Sequence, residues 1–406
     1  MLIHKFKKVI LNFKLGFLII LSFTFFLPLL VTILMGKSFL FFSTFLFLNV
    51  LLIELVFNFL HRLINGNAYK VPKKIPFKSL HIKPHPHLTY IFKKNFKSPP
   101  VEFTRYPLHK GKFKTCDLRT NNLGFFNGYN GDRNIEVPKP KNLFRINCLG
   151  ASTTQNYISF EGKNYSYPLE LEKIIKQKIS KDIEVNNCGQ GGYTSADLLI
   201  RFLLQIVDTE PDLILIYHAY ADIRSYLSED FETDYSHSRE NLAKNYFKLK
   251  VGSKIPNTPL NFINYLNSHW FPFNTRLSLN ELVHKKTINE INLNLDYSKG
   301  LKTYERNLQY IVDVCKAKNI QVILSTFCCY LHDEVKNEPL HRLYYKIIDE
   351  ENIVMKKIAK TNNVKLVDNA SIIPKESKYF VDTVHFTHEG MMELANNFSK
   401  EIKNEQ

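Results

Sequence analysis

FRINCLGASTTQ, the stretch from Phe144 to Gln155, carries an apolar, β-prone strand through a Gly-Ala turn into the start of a helix, with Ser152 on that turn. Four more continuous runs follow it: IEVNNC, DLILIYH, IQVILSTF and NVKLVD. Together with FRINCL they read as apolar or β-branched runs of the kind found in a parallel sheet buried on both faces. Between them, YPLELEKIIKQKI, SADLLIRFLLQIVD, TYERNLQYIVDVCKAK and HRLYYKIIDEENIVMKKIAK repeat apolar residues at helical spacing. This order predicts a three-layer α/β/α domain on a five-stranded parallel sheet, spanning 143–406. Between about 224 and 300 the alternation lapses into an aromatic-rich stretch with Tyr246, Phe247, Trp270, Phe271 and Phe273, predicted to be an insertion. A lid over the crevice, extra packing and a membrane-facing surface suit it equally.

Ahead of this domain the chain changes character. Leu15 to Met35 is an uncharged apolar run with no small-residue cleavage site after it, long enough to span a bilayer. A second run, Phe39 to Leu60, follows after only Gly36, Lys37 and Ser38. Together they predict a transmembrane helical hairpin, so residues 1–64 read as a membrane anchor and 65–142, rich in Lys, Pro and aromatics, as a collar. Lys5, Lys7, Lys8 and Lys14 precede the hairpin, and Arg62, Lys70, Lys73, Lys74 and Lys78 follow it, which puts both flanks, and the large domain, in the cytoplasm. The expected location is a membrane, a bacterial inner membrane, with lipid as a partner. If only the first run spans and the second lies at the interface, the domain faces outward. Glu54, inside the second run, is close enough to its end to reach the headgroups or Arg62, so a structural role is expected.

Composition narrows the function class. Lys and Arg total 54 against 38 Asp and Glu, a net charge of +16, but the lysines are scattered and no basic helix or aromatic RNA-binding signature occurs, so no nucleic acid partner is expected. The six cysteines form no CxxC pair, and Cys148 and Cys188 fall in or beside core strands, where cysteine acts as a small apolar residue.

Chemistry concentrates in four short blocks: LGASTT around Ser152, NCGQGGYTS around Gly192, YHAYAD around Ala221, and DTVH from Asp382 to His385. Ser152, lifted on a strand-to-helix turn, suits a nucleophile; the same pattern also serves a plain helix cap. The glycines around Gly192 permit close backbone approach to a ligand, or simply turn the chain with Thr194 or Ser195 as N-cap. Asp382 and His385 are spaced so that the carboxylate orients the imidazole while its other nitrogen faces a serine. His388 extends this to D-x-x-H-x-x-H, a metal-like spacing for which no fourth ligand is suggested, so no metal or other cofactor is expected. The absence of a Walker lysine disfavours a nucleotide phosphate loop.

With the four blocks in this order, the chain resembles an SGNH/GDSL-type hydrolase over about Phe144 to Phe398, and RTNNLGFF, Arg119 to Phe126, resembles the approach segment of membrane-attached members. The resemblance implies a flavodoxin-like sheet, Ser152 as nucleophile, His385 as general base, Asp382 as its orienter, and the Ser152 and Gly192 N–H groups as oxyanion donors. It implies an ester substrate, by family habit that of a carbohydrate or lipid-linked glycan, opened by hydrolysis through an acyl-enzyme or by O-acyl transfer. One block departs from the family. Where the pattern Gly-x-Asn-Asp is expected, the chain has Ala219, Tyr220, Ala221 and Asp222, so the asparagine amide that completes the oxyanion hole is replaced at Ala221. His218 and Tyr220 are the nearby candidates to substitute. A further change, Ala151 for the Asp before the serine, touches no catalytic role. A degenerate scaffold that keeps the fold without turnover is the rival reading.

Overall fold

A computed structural model of the protein describes residues 39–69, 82–100, 117–155, 158–160, 163–178, 182–237, 259–270 and 292–402, with 30, 33, 34 and 36. The chain divides into two compact units: 1–75 with 248–275, and 76–247 with 276–406.

The larger unit is built on strands β1 (Phe144–Gly150), β2 (Ile183–Asn187), β3 (Leu213–Tyr217), β4 (Gln321–Ser325) and β5 (Lys365–Val367). They form one sheet in the order β5-β4-β3-β1-β2, with every pairing parallel. The five runs named from sequence are these five strands. β3 is buried at every position, as expected of the central strand of a sheet covered on both faces. The helices are α2 (Tyr167–Lys178), α3 (Ser195–Arg201), α5 (Ser298–Ala317), α6 (Pro339–Asn362) and α7 (His388–Glu401). α2 packs on α7, and α5 packs on both α3 and α6, giving the two outer layers. Because β1 lies between β2 and β3, the strand order reverses there, and the crevice at the carboxyl ends of β1 and β3 is where such sheets bind ligands. The register aligns Gly150, at the end of β1, with Tyr217, at the end of β3. Ser152 and the loop after Tyr217 therefore emerge side by side.

The collar from 76 onward belongs to this unit, while 65–75 fall in the smaller one, and short two-stranded pairings hold it together: Ile82–Lys83 with Ile91–Phe92, and Lys97–Pro100 with Asp117–Arg119. Its RTNNLGFF turn is organised by Asn121, whose side-chain oxygen accepts from the Leu123 and Phe125 N–H groups while its amide donates to Arg133 O. Gly124 (φ +80°) closes the turn against the Phe92 backbone, and a Cβ there would collide with the Phe92 carbonyl.

The smaller unit contains α1 (Phe39–Asn65) and α4 (Asn261–Trp270). α1 is the one helix among the described residues long and apolar enough to cross a membrane, and Phe47, Leu51, Leu55 and Phe59 are exposed along it. The first apolar run of the expected hairpin falls almost wholly outside the described residues. Glu54 makes a different contact from those expected of it. Instead of turning to Arg62, its carboxylate accepts the Asn261 and Phe262 N–H groups at 2.8 Å each, and the Asn58 amide at 2.7 Å. These are the orphan donors at the start of α4, so an acid inside an apolar helix is satisfied by a helix terminus. Phe57, Tyr69, Phe262 and Tyr265 pack their rings around that junction. Tyr246, Phe247, Phe271 and Phe273 of the expected insertion lie outside the described residues.

Candidate active site

β1 ends in glycine because a Cβ at Gly150 would overlap Thr154 Oγ1 and the Tyr217 carbonyl. The chain passes through Ala151 into a single helical turn, Ser152–Gln155, which leaves Ser152 half-buried at the sheet edge. Val381 and His385 are tied by a backbone hydrogen bond just before α7, in a tight loop that presents Asp382 and His385 together. His385 Nε2 lies 2.9 Å from Ser152 Oγ, and His385 Nδ1 lies 2.8 and 3.0 Å from the two Asp382 oxygens. Asp382 Oδ1 also accepts the Val384 and His385 N–H groups at 2.9 and 2.8 Å, which fixes the carboxylate plane.

Burial alone would drive both groups neutral. For His385 it lowers the imidazole pKa, but the Asp382 charge and hydrogen bond outweigh it and hold the pKa above its ordinary value. For Asp382 burial raises the carboxyl, and the His385 charge with the hydrogen bonds from His385 and Val384 brings it below the usual range. A hydroxyl, an imidazole and an oriented carboxylate in line can pass the serine proton to nitrogen as the oxygen attacks a carbonyl.

Gly192 follows β2, in the turn Gln190-Gly191-Gly192-Tyr193 closed by Tyr193 N–H donating to Gln190 O at 3.2 Å. Its φ of +73° makes this a type II turn, the conformation that demands glycine at the third position. Among the described residues nothing accepts the Gly192 N–H. Thr194 is the N-cap of α3, in a reciprocal capping box with Asp197, so the capping role foreseen for this block and an open Gly192 N–H coexist.

The block after β3 is braced by two buried carboxylates that sequence reasoning did not single out. Asp222 accepts from Ser195 Oγ at 2.6 Å, Tyr235 Oη at 2.6 Å and the Ser195 N–H, and its Oδ2 lies 2.7 Å from His218 Nε2. Glu351, on α6, accepts the Tyr220 N–H and the Tyr226 hydroxyl at 3.1 Å each. Burial first, then the Asp222 charge, pushes the Glu351 carboxyl well above the usual range. Tyr220 takes a left-handed φ of +61°, and Ala221 N–H folds back on Ala219 O at 2.6 Å. His218 is committed to Asp222 and only 1% exposed, which removes it as a substitute donor. Tyr220 packs edge-on against Tyr344.

His388 does not join His385. Its ring lies 4.0 Å from that of Tyr165, with Nε2 3.8 Å from Glu170. Among the described residues no three His, Cys, Asp or Glu side chains converge as ion ligands. Cys148 and Cys188 are buried free thiols, and burial pushes Cys188 up to about 12.

The profile of the GDSL-like lipase/acylhydrolase family matches residues 148–392, which contain every block of this site but not the collar. No curated protein matches the chain significantly. Among solved structures, an acetylxylan esterase from Geobacillus stearothermophilus is 19% identical with a TM-score of 0.39, covering 64% of this chain and 95% of its own. A lipase/acylhydrolase from Enterococcus faecalis is 17% identical with a TM-score of 0.39, covering 65% and 99%.

Proposed function

Because the chain belongs to the GDSL-like lipase/acylhydrolase family, we propose that it is a membrane-attached serine esterase acting on an O-acyl ester through an acyl-enzyme. The observation that carries this is the line from Asp382 through His385 to Ser152, with contacts of 2.8 and 2.9 Å. Ser152 Oγ attacks the ester carbonyl as its proton passes to His385 Nε2. The carbonyl oxygen takes the negative charge, held by the Ser152 and Gly192 N–H groups. Collapse expels the alcohol, which takes the proton from His385. Water, or an acceptor hydroxyl, then gives its proton to His385 as its oxygen bonds to the acyl carbon; the bond to Ser152 Oγ breaks, and His385 returns the proton to that oxygen. Asp382 keeps the imidazole in the correct tautomer and stabilises its charged form.

Ala221 brings no amide to the oxyanion, so turnover is slower than with a complete set of donors; losing one donor costs about 10²–10³ in kcat. The substrate reading, an ester on a carbohydrate or lipid-linked glycan, draws on the family and on α1 as a membrane anchor. In the same reading the anchor is a hairpin of the two apolar runs, the domain is cytoplasmic, and the functional division is anchor 1–64, collar 65–142 and hydrolase 143–406.

The test is labelling of the full chain in detergent by a fluorophosphonate, together with turnover of short-chain aryl acetates. Ser152 should be the labelled residue, and Ser152→Ala and His385→Ala should each abolish labelling and turnover. Label retained by Ser152→Ala removes the nucleophile assignment. A folded wild type with neither label nor turnover would be the inactive scaffold.

A further inference from the structure

The Gly191–Gly192 peptide supplies both the Gly192 N–H and, on its opposite edge, the Gly191 carbonyl, because a trans peptide directs its N–H and C=O in opposite senses. It is also the central peptide of the Gln190–Tyr193 turn. Types I and II of such a turn keep the same closing hydrogen bond and differ by rotation of that peptide through about 180°. With glycine on both sides no Cβ opposes the rotation, so the turn residues themselves leave the direction of the Gly192 N–H undecided.

The collar decides it. Tyr90, fully buried, donates its hydroxyl to Gly191 O. The backbone of Tyr90 is fixed in turn: its carbonyl accepts from Tyr193 Oη at 2.5 Å and from Gln190 Nε2 at 3.2 Å. Beside it, Thr89 donates through N–H and hydroxyl to Asp197, the capping-box acid of α3. Arg201 extends the brace, donating to Gln190 Oε1 and to Leu123 O while its guanidinium lies 4.1 Å from the Phe125 ring centre. Leu123 and Phe125 belong to RTNNLGFF, so this collar motif holds the turn that carries Gly192.

We propose that Tyr90 is a positioning residue for ester cleavage, its hydroxyl locking the Gly191–Gly192 peptide in the orientation that aims the Gly192 N–H at the oxyanion. Without it the peptide rotates, the N–H turns away, and the Gly191 carbonyl faces the developing negative charge. Tyr90 lies outside the stretch matched by the family profile. The assignment rests on the Gly192 N–H being an oxyanion donor, as proposed above.

Tyr90→Phe removes one oxygen and keeps the ring contacts with Phe92 and Tyr193. In the full chain, kcat on aryl acetates should fall at least about tenfold, bounded by the 10²–10³ of an oxyanion donor lost outright. KM should stay near wild type, because the Gly192 N–H meets the oxyanion mainly in the transition state, and the melting temperature should fall only by the loss of one buried hydrogen bond. The phosphonylation rate should fall in parallel. A folded Tyr90→Phe with kcat within about twofold of wild type overturns the assignment while leaving the esterase reading intact. A folded wild type that neither reacts nor labels defeats that reading first. A crystal structure of the phosphonylated wild type decides the matter even if the variant does not fold: the Gly192 N–H should meet the phosphoryl oxygen with Tyr90 Oη on Gly191 O, and a rotated peptide or a Tyr90 hydroxyl bonded elsewhere overturns it.

Discussion

His385 must be neutral to take the Ser152 proton, while its link to Asp382 favours the charged form, raising its pKa above the ordinary 6.5. The sign follows directly: the active base form is lost as pH falls through the raised value. On a neutral aryl ester kcat/KM should fall with a one-proton slope on the acid side, with an apparent pKa above 6.5. Asp382→Asn should move that limb toward lower pH and lower the plateau; an acid limb unmoved by this change would assign it to another group. At position 221, Ala221→Asn should raise turnover by about tenfold or more with KM little changed, provided the amide reaches the oxyanion. A folded variant with unchanged turnover would mean that the backbone donors alone serve the reaction. The residues of these tests were legible because each sits in a short block whose spacing expresses its chemistry. The roles of Tyr90 and Glu351 were not: Tyr90 meets Gly191 across 101 positions and Glu351 meets Tyr220 across 131, and no local pattern encodes a partner so distant.

At the scale of elements, the sheet was legible because its strands are short β-prone runs between helical ones, and β3, covered on both faces, is apolar throughout. The N-cap was legible as a choice between Thr194 and Ser195; Thr194 takes it, and Asp197, three positions on, completes a capping box. The pairing of α1 with α4 was hidden, because Glu54 in an apolar run announces a need for a partner without naming it. That pairing has a direct test. Phe57 and Tyr265 hold their ring centres 5.1 Å apart, so Phe57→Cys with Tyr265→Cys should cross-link under mild oxidation in membranes. Glu54→Ala leaves the partly buried Asn261 and Phe262 N–H groups without their acceptor, a loss of about 0.5–1.5 kcal/mol for each hydrogen bond. Cross-linking should drop in that background, and an undiminished yield would show that ring packing alone holds the two helices.

For the whole molecule, the basic residues on both flanks of the two apolar runs predict that the hydrolase-like domain is cytoplasmic. A C-terminal alkaline phosphatase fusion should therefore be inactive in intact cells and a green fluorescent protein fusion bright; the reverse pair would place the domain outside and leave one span. Composition located the apolar N-terminal region and the start of the α/β alternation. It marked the collar only as a segment rich in Lys, Pro and aromatics, because RTNNLGFF works through a side-chain-organised turn and a buried cation over a ring, neither of which has a periodic signature.

The division of the chain, 1–75 with 248–275 in one unit and the remainder in the other, also governs how the protein can be cut. The backbone passes between the units three times. A single nick near residue 75 leaves the hydrolase-like unit covalently tied to 248–275, and Glu54 still grips the start of α4. Shedding by one protease is therefore blocked: after a cut there, flotation should find both fragments with the lipid, and release into solution would mean that the helix pairing is too weak to retain them. A fragment made by deleting only the first 67 residues would also carry α4 stripped of its partner, with Phe262 and Tyr265 facing water, so a soluble form calls for a short linker in place of 248–275.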